Sequence, residues 1–71
     1  MGERRLGNRL KETRARLELT QAELAAMVSV SRKTVNTIEN NVFVPSTILA
    51  LALSRALDMS VEELFYLIEI D

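Results

Sequence analysis

The residues best equipped for chemistry in this 71-residue chain sit together between positions 31 and 41, in the run SRKTVNTIENN. Two adjacent cations, three hydroxyls and three amides surround only two apolar positions, Val35 and Ile38. Those two are three residues apart, the spacing of a single helical face. A helix resting on that face leaves Arg32, Lys33, Thr34, Asn36 and Thr37 free to meet a ligand. Catalysis is poorly provided for. The chain has no cysteine and no histidine, which removes thiolate nucleophiles, disulfides and the usual transition-metal ligands together. Glu62 and Glu63 are neighbours on a helix and so diverge, and no glycine-rich phosphate loop accompanies them. The expectation is a protein that is not an enzyme, with no cofactor and no metal.

The polar run needs a partner element, and the sequence supplies one just upstream. Thr20 and Glu23 have the spacing of a capping box, in which each side chain accepts from the other residue's backbone N–H, and they open a helix over about residues 21–28. Ser31 caps a second helix over about residues 32–40 without the reciprocal acid. Leu24, Val28, Val30, Val35 and Ile38 fall where two crossed helices face each other, and Ala25 is small enough to let the backbones approach. Two short helices joined by a turn of about four residues can set the second into a DNA major groove.

Around this pair the chain reads as helical. A first helix spans about residues 8–18, with Leu6, Leu10 and Leu17 on one stripe. Asn40 and Asn41 suit a helix end, because asparagine tolerates the left-handed conformation. Pro45 stops the preceding structure and Ser46 caps a helix over residues 47–57, apolar nearly all round and expected at the centre of the core. Ser60 and Glu63 repeat the capping box ahead of a fifth helix near residues 61–65. Beyond it Leu64, Phe65, Leu67, Ile68 and Ile70 are too apolar for a frayed tail. They are expected to form a dimer interface, as an extended strand pairing across a two-fold axis near Leu6.

Length bounds the answer to one domain, residues 1–71, that buries only about 60% of its unfolded surface. Net charge is -1, but its distribution matters more. Residues 1–40 carry +3 and residues 41–71 carry -4, so a basic side can meet phosphate while an acidic side points away. No apolar run approaches a membrane span and the N-terminus lacks a signal-peptide core. A cytoplasmic location without membrane contact is expected.

Several motifs agree in order and spacing with a known pattern: LTQ before the second helix, VSR.TV..IEN around the third, proline and serine before the fourth, and SVEELF at the fifth. Together they resemble the phage-repressor, or xenobiotic-response-element (Xre), family of helix-turn-helix transcriptional regulators, in its short stand-alone form, over nearly the whole chain. Two positions depart from it. Ser29 stands where the family usually has glycine in the turn, and Asn41-Val42-Phe43-Val44 replaces a run that usually contains lysine.

The resemblance implies an all-α, five-helix, lambda-repressor-like DNA-binding domain, with a short C-terminal β-strand at a dimer interface. It implies base readout by Arg32, Lys33 and Thr37, since guanidinium and ammonium groups donate to guanine while a threonine methyl meets thymine. It implies phosphate contacts by Gln21, Ser31, Thr34, Asn36, Asn40 and Asn41, which Arg9 and Arg14 would extend. Glu39 is acidic beside a polyanion and is expected instead to pair with an arginine of the first helix. The implied function is a sequence-specific, double-stranded DNA-binding transcriptional regulator, a homodimeric repressor on a palindromic operator, with no small-molecule ligand. The alternative is an antitoxin or other protein-interaction module whose apolar C-terminus grips a different protein.

Overall fold

The computed structural model describes residues 3–70. Five helices are framed by two terminal strands: β1 (Glu3–Asn8), α1 (Leu10–Arg16), α2 (Gln21–Met27), α3 (Arg32–Glu39), α4 (Thr47–Leu57), α5 (Val61–Leu64) and β2 (Phe65–Ile70). Four of the helix starts follow from their caps. Thr20, Ser31, Ser46 and Ser60 each take extended backbone and accept a hydrogen bond from the N–H three residues on, as capping geometry requires. Thr20–Glu23 and Ser60–Glu63 close as full capping boxes.

The first helix is shorter than its apolar stripe suggested, and both ends have a physical reason. At the start, Asn8 is the last residue of β1, and its side-chain oxygen accepts from the Leu10 N–H at 3.1 Å. At the end, Glu18 adopts a left-handed backbone (φ 57°) that turns the chain towards α2. Leu6 therefore reaches the core from a strand rather than a helix, and Leu17 is exposed.

The C-terminal strand exists, but it pairs within the chain. β1 and β2 form a two-stranded antiparallel ribbon, with Leu6 opposite Leu67 and Gly7 opposite Tyr66. Gly7 is required there, since a Cβ at that position would lie 2.4 Å from the Tyr66 ring. Leu64 and Phe65 are buried in the protomer's own core, which corrects their expected place at a dimer interface. Leu67 remains 62% exposed and Ile68 is half-buried. The Ile70 side chain lies outside the described residues.

One core runs through the domain, built from Leu10, Leu24, Ala25, Val35, Ile38, Leu53, Leu57, Leu64 and Phe65. α4 contributes Leu53 and Leu57 to it but is not buried all round. Its outer face carries Ile48, 82% exposed, and Leu51, 57% exposed. No helix among the described residues is long and apolar enough to cross a membrane.

Candidate nucleic-acid interface

α3 is anchored by Val35 and Ile38, both buried. At 100° per residue, the stripe opposite them carries Lys33, Asn36, Thr37 and Asn40. Lys33 and Asn40 are exposed, Asn36 and Thr37 half-buried, and Arg32 is exposed at the helix start. Neither Arg32 nor Lys33 forms an ion pair among the described residues. Two free cations at the head of a polar stripe make a surface for an acidic, acceptor-rich ligand.

The other polar residues are partly committed. Thr37 donates its hydroxyl to the Thr34 carbonyl at 2.9 Å and is half-buried. Asn40 donates to the Asn36 carbonyl at 3.0 Å and to the Asn36 side-chain oxygen at 3.2 Å, which steadies the Asn36 amide in mid-stripe. Ser31 and Thr34 share a hydroxyl contact at 2.9 Å.

The turn that aims α3 is held by backbone bonds, including Val30 N–H to the Ala25 carbonyl at 3.0 Å. Ser29 occupies the left-handed region (φ 59°) inside it, so the departure from glycine costs about 1 kcal/mol of backbone strain. Asn41 is also left-handed (φ 61°) and ends α3, as its sequence position suggested.

Beneath the polar stripe, Glu39 ties three helices together. It accepts from Arg14 at 2.9 Å and 3.2 Å and from the Gln21 amide at 3.1 Å, while Arg14 also donates to the Leu19 carbonyl at 3.0 Å. Side-chain exposure is 16% for Arg14 and 4% for Glu39. Hydrogen bonding to Glu39 raises the pKa of the Arg14 guanidinium against the burial that lowers it. The ion pair expected of Glu39 is present, and it withdraws Arg14 from any phosphate track. Gln21 is half-buried and gives one amide proton to the same carboxylate. Arg9 is withdrawn as well. Its guanidinium lies 4.6 Å from the Tyr66 ring centroid and donates to the Glu63 carbonyl at 3.0 Å.

Asn8 is a residue whose role the sequence concealed. Its amide nitrogen donates to the Ile38 carbonyl at 2.8 Å and to the Asn41 side-chain oxygen at 3.1 Å, while its oxygen serves α1. One side chain thus joins the ribbon, the first helix and the C-terminal end of α3. A polar residue beside a strand gives no sign of contacts 30 positions away.

This geometry, a capped helix pair with a steadied second helix and an outward cationic and amide stripe, coincides with a family profile described as helix-turn-helix over residues 10–64. The chain belongs to the helix-turn-helix family of transcriptional regulators, of the Xre and phage-repressor type. An uncharacterized HTH-type transcriptional regulator of Bacillus subtilis, YgzD, is 44% identical over 62 residues, covering 87% of this chain and 94% of that protein. Among solved structures, the P22 c2 repressor in complex with a synthetic operator is similar with a TM-score of 0.74 and 35% identity, over 76% of this chain and 82% of that one. The restriction-modification controller protein C.AhdI from Aeromonas hydrophila is similar with a TM-score of 0.73 and 33% identity, over 78% and 83%. In this helix-turn-helix regulator, β1 and β2 lie outside the matched residues.

Proposed function

We propose that this regulator is a homodimeric repressor that binds a palindromic operator in double-stranded DNA through α3. The observation that carries the reading is the stripe of Lys33, Asn36, Thr37 and Asn40 on a helix whose opposite face is fully buried. Arg32, Lys33 and Thr37 read base edges, and Asn36 joins them from the middle of the stripe, where an amide matches adenine's paired donor and acceptor. Ser31, Thr34, Asn40, Asn41 and the start of α2 at Gln21 lie along the flanking phosphates. The repressor likeness supports this, since the P22 c2 protein was solved in complex with a synthetic operator.

The protomer's extents of 38 × 21 × 21 Å allow two copies to stand side by side with their α3 helices one DNA turn, about 34 Å, apart. Selection of bound duplexes from a random pool tests the reading and should return inverted repeats at that spacing. Binding should weaken with salt, by about 0.9 in the slope of log K against log salt for each phosphate neutralised. Lys33→Ala should lose about 1–3 kcal/mol and relax preference at one base pair per half-site. Salt-independent binding, or a pool with no enriched sequence, would sink the proposal.

A second reading, a module that grips a different protein, draws on the exposed Ile48, Leu51 and Leu67. A purified chain that stays monomeric at every concentration, with or without selected DNA, would favour it.

A further inference from the structure

We infer that the outer face of α4, flanked by the Leu6–Leu67 side of the ribbon, is the surface on which a second copy of this chain docks. The inference rests on the homodimer reading above and replaces the C-terminal segment as the place where the copies meet.

Leu51 is the central feature. It stands as a ridge with Ile48, and a groove opens on either side. One groove, of about 410 Å³, is lined by Leu6, Pro45, Ala50, Leu51, Val61 and Glu62. The other, of about 600 Å³, is lined by Ile48, Leu51, Ala52, Ser54 and Arg55. The ribbon borders the first groove through Leu6. Residues paired across an antiparallel ladder point to the same face, so Leu67 shares a face with its partner Leu6. Apolar residues of this size, exposed side by side, mark an interaction surface rather than ordinary scatter.

Shape and charge both point to a copy of the same chain as the occupant. In a two-fold interface every residue pair occurs twice, so a patch must complement itself. A ridge beside a groove meets that condition, because each Leu51 can enter the groove of the other copy. The charges meet it too. Glu62 edges one groove and Arg55 the other, and neither forms an ion pair among the described residues. A two-fold axis near Leu51 brings Arg55 of each copy towards Glu62 of its mate. A patch made for a different protein has no need to carry both signs in this arrangement.

Sedimentation equilibrium of the full chain tests the assignment, with circular dichroism to verify that each variant is folded. The wild type should dimerise. Leu51→Glu places a charge where two leucines would pack and should weaken dimerisation by roughly thirtyfold or more. As Leu51 is more than half exposed in the protomer, the fold should survive. Arg55→Glu and Glu62→Arg should each weaken dimerisation by about threefold, and the combined charge swap should restore it. A wild type that is monomeric throughout overturns the homodimer reading itself. A wild-type dimer that Leu51→Glu leaves intact, or a charge swap that is additive rather than restoring, overturns the docking face and leaves the homodimer standing.

Discussion

The Arg14–Glu39 pair offers a quantitative test of how α3 is held. Glu39 is almost completely buried and accepts three hydrogen bonds, two from Arg14 and one from Gln21. Arg14→Met removes the charge partner while keeping an unbranched apolar stem, and leaves a buried carboxylate facing only a neutral amide. Breaking a buried pair in this way costs about 3–5 kcal/mol. Arg14 keeps some contact with water, which places this site at the lower end, about 3 kcal/mol. A domain of this length has a total stability of roughly 4–10 kcal/mol. The single variant should therefore lose about a third or more of it and melt about 12–24 °C lower.

The double variant separates the pair's mutual dependence from its net contribution. Arg14→Met with Glu39→Met replaces both charges by apolar groups, which is often neutral or better. The Gln21 amide then lacks its acceptor and the Leu19 carbonyl its Arg14 donor, losses of about 1 kcal/mol each. Urea unfolding of the four proteins at neutral pH should give a coupling energy near 3 kcal/mol, nearly unchanged by added salt, since buried charges are poorly screened. Additivity within about 0.5 kcal/mol would refute the reasoning. The exposed Arg4–Glu69 contact at 3.6 Å is the internal contrast, and its cycle should give less than about 1 kcal/mol.

Three further outcomes follow from local geometry. Ser29→Gly relieves a left-handed backbone (φ 59°) and should stabilise the domain by about 0.5–1 kcal/mol in thermal melts, the glycine's extra unfolded-state entropy offsetting part of the gain. Asn8→Ala removes the two donors to Ile38 and Asn41 and the acceptor for Leu10. It should cost about 2 kcal/mol and speed hydrogen exchange at the Leu10 amide. Backbone N–H bonds from Thr20 and Ser60, followed by their hydroxyls, hold the Glu23 and Glu63 carboxylates below their ordinary pKa. Groups lowered on folding contribute stability that is present above the ordinary carboxylate range and is lost as pH falls through the folded values. The wild type should thus lose more stability between about pH 5 and pH 3 than the Glu23→Gln, Glu63→Gln double variant. Parallel acid titrations of the two melts check this.

The sequence spoke most clearly where the interactions are local. Capping boxes span three residues, so Thr20 with Glu23 and Ser60 with Glu63 were visible as helix starts, and α4 ran from Thr47 to Leu57 as read. The left-handed Asn41 was visible for the same reason. The Glu39 pair was legible from chemistry alone, because a carboxylate beside a DNA-facing helix needs a cation. Contacts set by tertiary packing were hidden. Asn8 reaches Ile38, and nothing near Asn8 in the chain indicates this. Arg9 looked like a candidate for phosphate until the ribbon placed Tyr66 beneath it.

The two misread apolar segments share a cause. Alternation in LFYLIEID signals that something must cover the strand, but a strand has two edges and the pattern does not say whose backbone pairs with it. Here β1 of the same chain does. α4 posed the complementary problem. An apolar surface on every side suggests a helix enclosed by others, yet a 71-residue domain has too little surrounding chain to enclose one. Some of its apolar surface must face outward, and isolated exposed leucines would mean little. What gives the exposure meaning is its placement: Ile48 and Leu51 line two grooves that are edged by an arginine and a glutamate without an ion pair among the described residues. The apolar excess that sequence reasoning assigned to the tail is in large part on α4, and it is there that a second copy finds both the ridge and the groove it needs.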